Sequence, residues 1–268
     1  MGVILESKNV SKSFGAVTAA ENISVRFEKD TVVGLIGTNG AGKTTFINMI
    51  TGYLKPTSGT IHFLDRDITP LLPREITRLG ICRSFQIPQL FDTLSVEENL
   101  MIGLGIARRN MRRPIFSRGP KTDPGHNGTG SEAARSMMER FALTEYGDRP
   151  AKTLPGGVRK LLDIAMAMTV KPQILLLDEP TSGVSAEEKF GIMDRVMDAV
   201  REEGVTVIFV EHDMDIVARY ADRALAFYDG RIIADAKPEY VLADEEVLDL
   251  VIGRKKKHHQ DTGSSGHA

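Results

Sequence analysis

The sequence predicts an α/β fold with buried parallel strands, on three observations. Short apolar runs alternate with helical patterns along most of the chain. Three of those runs, "TVVGLIG" (Thr31–Gly37), "QILLLD" (Gln173–Asp178) and "VTVIFV" (Val205–Val210), are apolar at consecutive positions, the pattern of strands covered on both faces. The first of them runs into a glycine-rich loop and then a helical pattern from Lys43 to Thr51.

The remaining elements follow in order. "VILESKNVSKSF" and "ENISVRF" near the start, and "GTIHFLD" (Gly59–Asp65), alternate as half-exposed antiparallel strands do. From about Leu94 to Val170 the strand signal fades. Helical patterns at Ser95–Leu104, Ser131–Leu143 and Gly157–Thr169 there predict a helical subdomain inserted into the sheet core. The basic, then Gly- and Pro-rich stretch between the first two, about 108–130, is expected to be a mobile loop. A helix over "SAEEKFGIMDRVMDAVREEG" joins the second and third buried strands, with Gly204 as its C′ residue. The tail 254–268, "RKKKHHQDTGSSGHA", has no apolar periodicity and is expected to be disordered.

Composition narrows the function. A length of 268 residues suffices for one large domain or a domain with a subdomain. Net charge is −2, which gives no electrostatic ground for a nucleic-acid partner. The single Cys82 excludes an internal disulfide framework and fits a reducing compartment; beside a loop it reads as a small core residue. No apolar run approaches the ~20 residues that span a bilayer, and "MGVILESKNV" lacks a signal peptide's basic start and apolar core. Ser7 stands one place too late for myristoylation. A cytoplasmic location is therefore expected, where the glycosylation pattern at Asn127 has no use. Met137, Met138, Met166 and Met168 read as core filling.

The chemistry is concentrated at three strand ends. "GTNGAGKTT" fills G-x-x-x-x-G-K-[ST] with Gly37, Gly42, Lys43 and Thr44, after a strand and before a helix, the context this phosphate-binding motif needs. Its glycines let successive N–H groups converge on phosphate oxygens, and the helix N-terminus adds partial positive charge. Lys43 would reach the β- and γ-phosphates, and Thr44 would offer its hydroxyl to Mg²⁺. "ILLLDEP" ends in Asp178, placed to hold Mg²⁺ through water, and Glu179, placed to polarise an attacking water. "VIFVEHD" ends in His212, within reach of a γ-phosphate.

Taken together, these residues resemble the nucleotide-binding subunit of an ATP-binding-cassette (ABC) transporter, over roughly Val3–Gly253. The resemblance implies a P-loop NTPase (RecA-like) core over about 3–93 and 172–253, with an N-terminal antiparallel β subdomain and a helical subdomain over about 94–171. It implies ATP and Mg²⁺ as ligands. Phe14 in "KSFG" matches the aromatic that stacks on adenine, and Asn39, Gly40, Ala41, Gly42, Lys43, Thr44 and Thr45 match the phosphate loop. Gln86 in "CRSFQ" matches the glutamine that joins Thr44 and Asp178 at the metal and, with His212, senses the γ-phosphate. Glu179 matches the catalytic base. "LPGGVRK" occupies the signature position, so Gly156 and Gly157 would complete a partner's ATP site in a head-to-tail dimer.

Implied partners are a second ABC ATPase, with a heterodimer favoured over a homodimer, transmembrane permease subunits docking near "IPQLFDTLSVEENL", and indirectly a periplasmic solute-binding protein. The chain would then lie on the inner face of the cell membrane through its permeases. Within the family, "RSFQIPQLFDTLSVEENL", the long linker after Leu104 and "EHDM" resemble importers of branched-chain amino acids and of related solutes such as urea. A lipopolysaccharide-type exporter ATPase or a dimerising regulator is the alternative.

The sequence departs from the family at three places. Pro155 and Val158 stand where the signature has Ser and Gln, and proline offers neither hydroxyl nor N–H. The lost charge-assisted hydrogen bond is worth ~1.5–3 kcal/mol. Alternatively, proline stiffens a helix entry while Arg159 or Lys160 supplies compensating charge. The acidic residue expected near Ser185 is absent, although Ser185 can cap the following helix. Thr38 replaces a proline at a position that contributes mainly backbone.

Overall fold

The computed structural model describes residues 2–84, 86, 88–111 and 130–253, without the side chains of 108–111. The expected mobile loop lies outside these residues over 112–129, and the expected tail lies outside them entirely. In chain order the strands are β1 (Val3–Phe14), β2 (Val17–Glu28), β3 (Val32–Gly37), β4 (Ser58–Phe63), β5 (Arg66–Asp67), β6 (Ile81–Arg83), β7 (Ile174–Asp178), β8 (Thr206–Val210), β9 (Arg223–Tyr228) and β10 (Arg231–Ala236). The helices used below are α1 (Lys43–Ile50), α2 (Pro73–Leu79), α3 (Val96–Met111), α4 (Gly130–Arg140), α5 (Gly156–Met168), α6 (Glu188–Glu202) and α7 (Met214–Tyr220).

The strands form two sheets. β2-β1-β4-β5 is antiparallel; β10-β9-β3-β8-β7-β6 is parallel from β9 to β6, with β10 added antiparallel at one edge. The three consecutive apolar runs become β3, β7 and β8, buried at every position. Their side chains alternate between two cores. Val33, Leu35, Ile174, Leu176 and Ile208 face α1 and the antiparallel sheet, while Val32, Ile36, Leu175, Leu177, Val207 and Phe209 face the packed helices.

Parallel pairing has a direct consequence for function. The carboxyl ends of β3, β8, β7 and β6 lie side by side on one edge, where α/β folds place their ligand sites. Among the described residues, every regular element between Val96 and Met168 is helical, and Met137, Met138 and Met168 are buried in its core. α3 runs past the expected Leu104 to Met111, because Ala107 and its arginine neighbours are good helix formers without apolar periodicity to mark them. Gly204 follows α6 with φ +62°, as expected of a C′ residue. α2, the three-residue β6 and the β9–β10 hairpin, turned at Asp229-Gly230, add to the elements expected from sequence.

Phe46 of α1 ties the two sheets together. Its ring lies 6.4 Å from that of Phe27 on β2 and 5.8 Å from that of Phe227 on β9, and none of the three is exposed. Replacing Phe46 by Ala is expected to cost about 3–5 kcal/mol of unfolding free energy, read from urea denaturation.

Candidate nucleotide site

The loop from Gly37 to Gly42 leaves the end of β3 and turns directly into α1. Gly42 is the N-cap of α1 at φ +100°; a Cβ there would stand 2.6 Å from the Ala19 carbonyl oxygen, so only glycine fits. Close to the loop, Gly230 N–H donates to the Ala41 carbonyl at 3.1 Å. With α1 lacking any acidic residue in its first turn, its free N–H groups and dipole favour an anion.

A cleft of about 120 Å³ opens over this loop, lined by Asn39 through Thr45 together with Glu179 and His212. Lys43 is 5 % exposed, and its Nζ donates to the Gly37 carbonyl at 2.7 Å and the Thr38 carbonyl at 3.0 Å. Burial lowers its pKa, opposed by the negative charges of Glu179 and Asp178. The amine thus rests on its own loop's carbonyls. The backbone of Thr38, not its side chain, is what the loop uses here.

Glu179 sits just beyond β7 in the left-handed region at φ +49°, with its N–H on the Val210 carbonyl at 3.0 Å. Its carboxylate is held from two sides: Gln86 Nε2 donates to Oε2 at 2.7 Å, and His212 Nε2 lies 3.2 Å from Oε1. Asp178, by contrast, is buried at the end of β7 against Arg83, whose guanidinium donates to Oδ2 at 2.5 Å and to Asn48 Oδ1 of α1 at 2.6 Å.

The structure therefore brings Asn39 to Thr45, Glu179, His212 and Gln86 together, with Asp178 one residue away on the same strand end. Phe14 lies at the tip of the β1–β2 hairpin, 53 % exposed and paired with Val17. That tip is two residues from Ala19, whose carbonyl abuts Gly42. Gly156 and Gly157 lie outside the cleft. They open α5 behind the N-cap Pro155, at φ −55° and ψ 153°, so the N–H groups of the first turn have no intrahelical acceptor.

Compensating charge at that loop, expected from Arg159 or Lys160, is committed elsewhere. Arg159 pairs with Asp92 at 2.7 Å and donates to the Ala151 carbonyl at 2.6 Å. Lys160 is buried and donates to the main-chain carbonyls of Gln86 and Glu179. Val158 packs against the hydrophobic core. Ser185 Oγ accepts from the Glu188 N–H at 3.3 Å and donates to its carboxylate at 2.9 Å, a local cap at the start of α6. Cys82 is a core residue whose thiol burial pushes up to about 12.

Comparison with known proteins decides the family. Residues 20–182 match the ABC transporter family. The chain belongs to the ABC transporter ATPases. A probable branched-chain amino acid transport ATP-binding protein LivG of Archaeoglobus fulgidus is 34 % identical over 93 % of this chain and 95 % of its own length. The high-affinity branched-chain amino acid transport ATP-binding protein LivG of Escherichia coli is 33 % identical over 93 % and 98 %. Among solved structures, the ADP conformation of an ATP-binding cassette of an ABC transporter superposes with a TM-score of 0.80. It is 34 % identical over 94 % of this chain and all of that one.

Arg83, Lys160 and Glu211 contact residues of the candidate site and are not supplied as such by motif reading. Glu211 is 4 % exposed and accepts from the N–H and hydroxyl of Thr181 at 3.0 and 2.7 Å, tying the turn after Glu179 to the strand end bearing His212. The available signal was a charged residue inside or against a buried run, as Arg83 is in "ICRSF".

Proposed function

We propose that this ATPase is the motor subunit of an importer, hydrolysing ATP with Glu179 as the base that receives a proton from the attacking water. The observation that carries this reading is the carboxylate of Glu179, held by Gln86 and His212 above the Lys43 loop. In this reading the phosphates lie on the N–H groups of the loop and of the α1 N-terminus, with adenine against Phe14. Lys43 exchanges its loop carbonyls for β- and γ-phosphate oxygens. As water attacks the γ-phosphorus, its proton passes to a Glu179 carboxylate oxygen and the bond to the β-γ bridging oxygen breaks, leaving ADP and phosphate. Gln86 and His212 hold the base in line and register the γ-phosphate.

The residues present fit Mg²⁺. Among the described residues no group of three or more His, Cys, Asp or Glu could hold a metal alone. The oxygens of Thr44, Gln86 and Asp178 suit an ion that takes most of its ligands from phosphate and water. The chemistry Mg²⁺ supplies when bound there is neutralisation of phosphate charge.

The relatives' names support uptake of branched-chain amino acids or a related small polar solute. No helix among the described residues is long and apolar enough to cross a membrane. In this reading separate permease subunits form the pathway. They would dock at the inner face of the membrane near a groove of about 250 Å³ lined by Tyr53, Cys82, Gln89, Ile106 and Met166. ATP would close a head-to-tail dimer in which Gly156 and Gly157 contact the partner's nucleotide. Pro155 and Val158 weaken that contribution, which favours a heterodimer with unequal sites and leaves this chain's Lys43 site the stronger. A periplasmic solute-binding protein would deliver the solute to the permeases.

Glu179→Gln should leave the affinity for a fluorescent ATP analogue unchanged and lower turnover about 10²–10⁴-fold; wild-type turnover would remove Glu179 from the role of base. Purified alone, the chain should turn ATP over slowly and without cooperativity. A fast, cooperative homodimer in steady-state assays would contradict the unequal-site reading.

A further inference from the structure

Lys160 stands in the second turn of α5, the helix that the signature glycines open, and is only 5 % exposed. A buried ammonium is costly unless its hydrogens are taken up, and a leucine there would pack without that cost. Its Nζ donates to two main-chain carbonyls: that of Gln86, and that of Glu179 at 3.2 Å. Three residues along the same helix, Asp163 Oδ1 accepts the Gln89 N–H at 3.0 Å. Opposite charges one turn apart on α5 therefore grip both ends of the segment from Gln86 to Gln89.

Glu179 gains most from this arrangement. Its left-handed backbone, at φ +49°, is unfavourable for a residue with a Cβ and persists only where neighbours fix it. The N–H is fixed by Val210 and the carbonyl by Lys160, while Gln86, itself tied to Lys160, fixes the carboxylate. Removing the amine releases the carbonyls of both Gln86 and Glu179.

We propose that Lys160 is a positioning residue for hydrolysis, holding Glu179 and Gln86 to the signature helix, so that displacement of α5 moves the base of this chain's own site. The inference rests on Glu179 as the base. It links the helix that contacts the partner's nucleotide to hydrolysis in this chain through one side chain.

The test compares full-length Lys160→Met, Lys160→Arg and Glu179→Gln with wild type. Lys160→Met is expected to lower kcat ~10–100-fold, the scale of a misplaced catalytic group, with the Kd for a fluorescent ATP analogue unchanged; arginine restores most of the loss. In the nucleotide-free chain, amide hydrogen exchange over 178–182 and 88–91 should quicken in Lys160→Met while that of β1 and β2 does not. Wild-type kcat and exchange in Lys160→Met, exchange that quickens throughout the chain, or no rescue by arginine would overturn the proposal. Turnover that survives in Glu179→Gln refutes the base assignment instead, and the exchange pattern then decides the role of Lys160 by itself.

Discussion

The carboxylate of Glu179 is held by two loops that leave different strands, and the architecture around it follows from that requirement. Gln86 comes from beyond β6, Glu179 from β7 and His212 from beyond β8. These three residues meet within hydrogen-bond reach because those strands are parallel neighbours whose carboxyl ends share an edge. Parallel neighbours need covered faces, which explains the two cores and the unbroken apolar character of β3, β7 and β8. The helices and the antiparallel sheet are the two covers.

Charge is the second constraint. Asp178, Glu179 and Glu211 stand close together on this edge, with the cations Lys43, Lys160 and Arg83 beside them. Burial lowers the pKa of both lysines, and the neighbouring carboxylates oppose that shift. The hydrogen bonds of the three cations differ: Lys43 donates to its own loop, Lys160 to two main-chain carbonyls, and Arg83 to both Asp178 and Asn48 of α1. Lys160 and Arg83 thereby cross-link elements far apart in sequence, Arg83 through an ion pair and Lys160 through main-chain carbonyls. In the proposed function, phosphate would enter a cleft where the Lys43 amine bridges carbonyls that it can exchange for stronger acceptors.

Much of this was legible in the sequence, for identifiable reasons. The phosphate loop and the ends of β7 and β8 announce themselves because their chemistry is local: a glycine pattern, then polar residues ending apolar runs. β6 is three residues long and has no period to read; the β9–β10 hairpin carries a recognisable Asp-Gly turn but sits beyond the motifs. The roles of Lys160 and Arg83 are illegible in sequence because Lys160 meets Gln86 and Glu179, 74 and 19 positions away, and Arg83 meets Asp178, 95 positions away. The signature loop is the instructive case. Its sequence suggested that nearby Arg159 or Lys160 would compensate for Pro155, yet packing sends one to Asp92 and the other beneath Glu179.

In the proposed function one strand-end edge binds the nucleotide and holds the base over it. A crystal structure of this chain with Mg²⁺ and ADP tests it most directly. Phosphates are expected on the loop from Asn39 to Thr45, with Lys43 Nζ moved from the Gly37 and Thr38 carbonyls to a phosphate oxygen and Glu179 still left-handed with its carbonyl on Lys160. Nucleotide bound away from that loop, or Lys43 unmoved with nucleotide present, would contradict it.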